Sequence, residues 1–366
     1  MHLDDKIYLL ALSYVKGLGI KSLQGLMNHY NSAEEVWKLS VKDKNAIQGL
    51  NWEIANQIGS NKILQLAENE INFCQKHDIQ VISIYEDEYP QLLKECNDAP
   101  FVVFFRGKSD MNAGKFLAIV GTRKMSSRAK DFIHEFVADL QNKPITIVSG
   151  LALGVDIEAH KAAIDNNLKT VGVLAHGLNQ IFPKSNKKIG IKMMENGGLF
   201  SEFSTFHKPE PENFLRRNRI IAGLCEATII IESAIMGGSM STANHANNYN
   251  RDVFAVPGRV QDINSQGCHH LIKNHKAFLL TEADDVLKYL NISPKKIKKN
   301  VQKELFIAMS DSEQKLYDIL KSHGKLHIDQ LALRMGIATY QLMPILLDLE
   351  FKNIIEPLPG KYYDLN

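Results

Sequence analysis

Between residues 116 and 256 the chain repeats one pattern: a short run rich in Val, Ile and Leu, a glycine-containing loop, then a segment of helical periodicity. The runs at 116–120, 145–148, 170–174, 228–231 and 253–256 are too uniformly apolar for strands with one wet face. Strands buried on both sides read this way, and intervening helices such as 129–140 and 156–163 supply the cover. The pattern predicts an α/β domain with a Rossmann-like, mainly parallel sheet, and leaves the strand order open. Ligands of such sheets bind outside the carboxyl ends of the strands, so the loops that follow the runs are where function is sought.

A chain of 366 residues allows two or three domains. Residues 1–80 read as a helical domain in which Gly17-Leu18-Gly19-Ile20 joins two helices, as in helix-hairpin-helix or SAM-like modules. That turn serves either packing or phosphate contact. Strands at 81–85 and 101–105 lead into the extended Rossmann-like domain, residues 81–290. A lysine-rich linker, 291–303, precedes helices at 312–320, 328–335 and 340–349 and a two-stranded wing, so residues 304–366 are expected to form a winged-helix domain. Its third helix carries few positive residues, and groove reading of duplex DNA competes there with a packing or partner-binding role.

Charge is distributed in blocks: residues 1–110 carry a net −4, 111–290 a net +4 and 291–366 a net +2, for a total of +2. Any nucleic-acid role must therefore rest on local patches. Cys74, Cys96, Cys225 and Cys268 have neither disulfide-framework nor zinc-ligand spacing. The N-terminus lacks the pattern of a secretory signal, and no apolar run is long enough to cross a bilayer. A cytoplasmic protein without membrane insertion is expected, with no metal and no cofactor.

Four loops have the composition of an anion site. The first, Gly121-Thr122-Arg123-Lys124, joins a tight turn to a hydroxyl and a forked cation, with Ser126 or Ser127 placed to cap the next helix. In the second, Ser149 to Asp156, Gly150 and Gly154 suit close backbone approach and Asp156 can cap a helix that carries His160. Asp156 and His160 share a helix face and bond either each other or a nearby loop. The third runs from His176-Gly177 to Phe182-Pro183, with Lys184, Lys187 and Lys188 beyond it. The fourth combines Arg216, Arg217 and Arg219 with Gly237-Gly238-Ser239 and Thr242, on either side of the strand that ends at Glu232. Phe214, beside these arginines, either stacks on an exposed base or packs against a helix expected to start at Arg217. Neither a dinucleotide fingerprint nor a P-loop is present.

Taken in order, these motifs resemble the DNA-processing protein A family, DprA or Smf. The matching residues are Tyr89-Pro90, Val120-Gly121-Thr122-Arg123, Ser149 to Asp156 with Ala159-His160, Phe214 with Arg217 to Leu224, Glu232, Gly238-Ser239, Thr242-Ala243, Ala255 to Gly258, Gly267 and Leu271-Ile272. The resemblance implies a non-catalytic protein that binds single-stranded DNA, protects incoming strands in natural transformation and helps load the RecA recombinase, often as a homodimer. It places phosphate contacts on Gly121, Thr122 and Arg123, adjoining Lys124, and on Arg217, Asn218 and Arg219, with Phe214 as the aromatic and Gly238 and Ser239 nearby. It makes Gly150, Gly154, Gly177 and Gly238 structural glycines, and leaves Asp156, His160, Glu232 and Thr242 as loop supports. Two departures stand out: Arg128-Ala129 replaces a usual tyrosine-glycine, and His275-Lys276 a usual glycine-alanine. Two rival readings use the same residues differently: a nucleotide or phosphoribosyl hydrolase employing Glu232 or the Asp156/His160 pair, and a duplex-binding regulator acting through the winged helix.

Overall fold

The computed structural model describes residues 3–47, 50–292, 309–352, 354–358 and 360–365, and the chain divides into two compact units, Met1–Pro294 and Lys295–Asn366. Most of the basic linker expected at 291–303 lies outside the described residues.

The first unit opens with six helices: α1 (Leu3–Ser13), α2 (Ile20–His29), α3 (Ala33–Trp37), α4 (Val41–Ala46), α5 (Trp52–Gln57) and α6 (Asn61–Lys76). Gly17, between α1 and α2, has a φ of +88°, a conformation that glycine adopts without strain. These helices share one apolar cluster with the sheet, in which Leu9, Leu12, Leu26 and Trp37 join Phe104, Leu174 and Leu199. The carboxylate of Glu70 on α6 accepts from the Thr205 amide at 2.9 and 3.0 Å, fastening the helices to the sheet's edge.

The sheet has nine strands: β1 (Gln80–Ser83), β2 (Val102–Gly107), β3 (Lys115–Val120), β4 (Ile145–Ser149), β5 (Lys169–Val173), β6 (Gly198–Ser201), β7 (Ala227–Ile230), β8 (Asp252–Ala255) and β9 (Phe278–Leu279). Their order is β1-β2-β6-β5-β4-β3-β7-β8-β9. The β1–β2 and β2–β6 pairings are antiparallel and the other six parallel, which gives the mainly parallel sheet that the apolar runs predict. Strands β6 and β9 are additions to the expected set. β6 begins beside Gly197 and Gly198, which look like a turn, yet a Cβ on Gly198 would come within 2.3 Å of the Phe105 ring. That glycine lets β6 lie against β2.

The remaining helices of this unit are α7 (Gln91–Lys94), α8 (Ser127–Asp139), α9 (Val155–Asp165), α10 (Lys187–Met193), α11 (Pro211–Gly223), α12 (Gly238–Asn248), α13 (Gln266–Lys273) and α14 (Ala283–Tyr289). α11 starts at Pro211, six residues before the expected start at Arg217. Proline suits a first helical turn, where its missing N–H loses no bond. The chain thus leaves β3 towards β4, β5 and β6 on one side, then returns through α11 to β7, β8 and β9 on the other. The order reverses between β3 and β7.

The second unit holds α15 (Asp311–His323), β10 (Leu326–His327), α16 (Ile328–Met335), α17 (Thr339–Phe351), β11 (Ile355–Leu358) and β12 (Tyr362–Leu365). The wing expected as two strands gains a third, because β10 pairs with β12. Gly336, left-handed at φ +71°, ends α16. Leu316, Leu331, Leu342, Leu346 and Leu349 build a core separate from that of the sheet.

At the end of α13 the departure at His275 gains a physical meaning. His275 has φ +54°, its amide donates to Ile272 and the Lys276 amide to Leu271, a helix stop whose left-handed position favours glycine. A non-glycine residue there costs about 1–2 kcal/mol, partly offset by glycine's extra freedom in the unfolded chain. His275→Gly should therefore raise stability by up to about 1 kcal/mol, read from the urea midpoint at constant m-value.

Candidate nucleic-acid interface

The reversal of strand order opens a crevice at the carboxyl ends of β3 and β7, the place where open α/β sheets bind their ligands. A cleft of about 830 Å³ occupies it. Its walls come from the loops after β3, β4 and β7, from the Phe182-Pro183 turn and from one face of α11. Of the four candidate loops, all contribute to this cleft: Gly121 to Lys124, Ala152, Leu153 and Asp156, Phe182 and Pro183, and Gly237 to Ser239 with Thr242. Lys184, Lys187 and Lys188 are exposed but do not line it.

Missing side chains bring these loops together. Gly154 has φ +79°, and a Cβ there would lie 2.3 Å from the Thr122 carbonyl oxygen. The amide of Val155 donates to that same carbonyl at 3.2 Å, so the loop after β3 rests on the start of α9. A Cβ on Gly121 would lie 2.6 Å from Val155 Cγ2 and 2.9 Å from the Glu232 carbonyl oxygen, and Gly177 lies against the Ser204-Thr205 backbone. Gly238 differs: no atom stands near its missing Cβ, so its backbone is open at the start of α12. The structural constraint expected there falls on Gly237, whose Cβ would lie 2.4 Å from Ser233 Oγ.

Glu232 acts as a brace. Its carboxylate accepts from the Ser126 amide at 3.0 Å and the Ser126 hydroxyl at 2.6 Å, while its carbonyl accepts from the Thr122 amide at 2.7 Å. Ser126 in turn caps α8. Within α12, Ser239 donates to Ser233 at 2.8 Å and Thr242 is buried.

The arginines part company. Residues 216 and 219 stand three apart and share a helix face, whereas 217 is turned by about 100° from 216. Arg217 points to the cleft floor, where Nη1 donates to the carbonyls of Gly150 at 2.6 Å and Val173 at 2.5 Å. Arg219 is also buried but turns the other way, donating to Glu202 at 2.5 Å and to the Asp98 carbonyl at 2.5 Å, and Arg216 joins it on Glu202 at 2.9 Å. The expected gathering of Arg217 and Arg219 in one patch is thus corrected: Arg219 lines a second hollow, below the N-terminal helices. Asn218 stays at the cleft, donating to the Gly238 carbonyl at 3.2 Å.

Exposed positive charge at the cleft comes from Arg123 and Lys124. The Arg123 guanidinium lies 5.7 Å from the centre of the half-buried Phe214 ring, and that of Arg217 lies 5.9 Å from it. Phe182 approaches the same ring at 6.1 Å. Burial lowers Arg217 to about 10, with Asp156 opposing and Arg123 adding to the shift, so it remains charged at neutral pH. Burial pushes the Asp156 carboxyl up, against the pull of Arg217 and of the Ala152 and Gly150 amides.

Asp156 does not cap α9, whose cap is Gly154; it ties its own loop by accepting from the Gly150 and Ala152 amides. His160 bonds Thr170 Oγ1 at 2.7 Å. The two side chains on one helix face therefore serve different partners and do not form a dyad. Among the described residues no group of three metal-ligating side chains stands together, and no helix is long and apolar enough to cross a membrane.

A family model for DNA recombination-mediator protein A matches residues 80–291, and one for the DprA winged helix domain matches 307–361. The chain belongs to the DNA recombination-mediator protein A family. One family relative, the DNA processing protein DprA of Streptococcus pneumoniae, is 40% identical over 205 residues, covering 56% of this chain and 72% of that protein. Protein Smf of Escherichia coli is 32% identical over 302 residues, covering 81% and 80%. The solved structure of the pneumococcal DprA superimposes with a TM-score of 0.63 at 32% identity, over 78% of this chain and 98% of that one. The DNA processing protein A of Helicobacter pylori, known for a single-stranded DNA binding mode, superimposes at 0.53 and 27% identity, over 58% and 95%.

Two outcomes follow from this geometry. Gly154→Ala places a side chain in a sparsely allowed conformation and against the Thr122-Arg123 backbone; it should lower stability by at least about 1–3 kcal/mol in urea denaturation. Burial, reinforced by the charge of Arg217, holds His160 down at about 3. As pH falls below about 6.5 the unfolded chain takes up a proton that the folded chain refuses, so this stability is present above 6.5 and lost towards 3. His160→Gln should make the acid-side fall in stability shallower by up to about one proton, measured from denaturation midpoints across that range.

Proposed function

We propose that the cleft grips single-stranded DNA without catalysis, and that the protein, as a homodimer in the cytoplasm, covers incoming strands in natural transformation and helps load the RecA recombinase. The observation that carries this reading is the exposed Arg123 guanidinium beside the Phe214 ring, over a cleft floored by Arg217. A cation for phosphate next to an aromatic face for a base is the pairing that unpaired strands require, since their bases are free to unstack. Gly121, Thr122 and Lys124 extend the phosphate contacts, and the open backbone of Gly238, with Ser239, offers the start of α12 to another. Membership of the recombination-mediator family and the Helicobacter relative's strand-binding mode support the same reading.

Arg219 supports the site through α11 and Glu202, and Arg217 both faces the strand and fixes Gly150. Replacing Arg217 disturbs the fold along with the site, so Arg123 is the cleaner probe. Filter binding of Arg123→Ala across a salt series should show weaker single-strand binding and a log-log salt slope shallower by about 0.7. Phe214→Ala should weaken binding by roughly 1–3 kcal/mol at fixed salt. Wild-type affinity and slope in a folded Arg123→Ala protein would contradict the proposal.

A further inference from the structure

The helix α17 is apolar on two opposite faces. Leu342, Leu346 and Leu349 are buried in the core of the second unit. Tyr340, Met343, Pro344, Leu347 and Phe351 fall within an arc of about 100° on the other side, at 100° per residue. All five are exposed, Tyr340 by 76% and Phe351 by 79%. An exposed apolar stripe of this size on a helix marks a surface that a partner covers.

In a winged helix this element would lie in a DNA groove. Residues 339–351 contain no Lys or Arg, however, and Asp348 and Glu350 are exposed near the helix end. Two anions with no cation on the inserted element would repel phosphates, so the stripe is suited to protein contact.

We propose that this stripe docks on the same stripe of a second copy of the chain, with the two α17 helices antiparallel. Charge selects both partner and direction. Asp348 and Glu350 flank the stripe at its C-terminal end, while the N-terminal end offers the positive pole of the helix and follows Arg334, exposed in the last turn of α16. Antiparallel pairing sets each copy's acidic end on the other's positive end; parallel pairing would set the four carboxylates side by side. A twofold pair also needs one face complementary to itself, and this stripe is, because Tyr340 of one copy then meets Phe351 of the other. Aromatic side chains bury roughly 150–250 Å² each, so two copies approach the ~1,000 Å² at which specific association begins. This contact is independent of the cleft and of what the cleft binds.

The test uses full-length chains, whose cysteines among the described residues are all buried. Tyr340→Cys and Phe351→Cys chains, mixed and oxidised, should give a disulfide-linked pair that neither chain gives alone. A mixture of Tyr340→Cys with Gln314→Cys, exposed on α15, is the control. Sedimentation of Leu347→Glu should show association through this unit weakened by about tenfold or more, with thermal unfolding of the protein unchanged. Cross-linking no greater than the control, or sedimentation of Leu347→Glu identical to wild type, overturns the proposal. So does linkage of Tyr340→Cys to itself, which would mean parallel helices.

Discussion

The guanidinium of Arg217 lies where a side chain on Gly150 would lie: a Cβ there would come within 2.5 Å of its nitrogens. Because Gly150 has none, one arginine on α11 reaches the carbonyls at the ends of both β4 and β5. That contact closes the floor of the cleft and fixes the helix that carries Phe214 and Asn218. Burying a guanidinium is tolerable only with such partners, and the two carbonyls together with the nearby charge of Asp156 supply them. The loops above the floor are held by the same device of absent side chains, at Gly121 and Gly154, and by the carboxylate of Glu232 on Ser126.

This arrangement divides the positive residues by task. Arg217 and Arg219 are buried and bonded to protein, and they shape the site more than they charge it. Arg123 and Lys124, on a loop held from below, carry the exposed charge. A buried frame with an exposed cation at its edge suits a ligand whose phosphates recur along a chain, because the frame shapes the groove and the cation stands where a phosphate can reach it.

Much of the fold is legible in the residues. Uniform apolar runs give the parallel strands because a sheet covered on both faces admits little else. Glycine loops after those runs give the cleft's walls, and all four enter it. What escapes are the short edge strand β9, the strand β6 hidden behind two glycines, and the early start of α11. The last bears on Arg216: with the helix begun at Arg217, that residue lies outside the helix and its face is not set. The full helix separates Arg217 from Arg216 and Arg219 by its 100° turn per residue. The winged helix shows the converse, for α17 is recognisable as a helix while its uncovered second face emerges only once the core has taken the first.

The sequence by itself determined the class of sheet, the loops at its carboxyl edge and the family to which the chain belongs, because those depend on local patterns of burial and turn. Tertiary structure alone decided the strand order, hence the crevice between β3 and β7, and which arginine faces it. Both depend on contacts between residues far apart along the chain, such as Arg217 with Gly150, and no local pattern encodes which distant carbonyl a buried guanidinium will find.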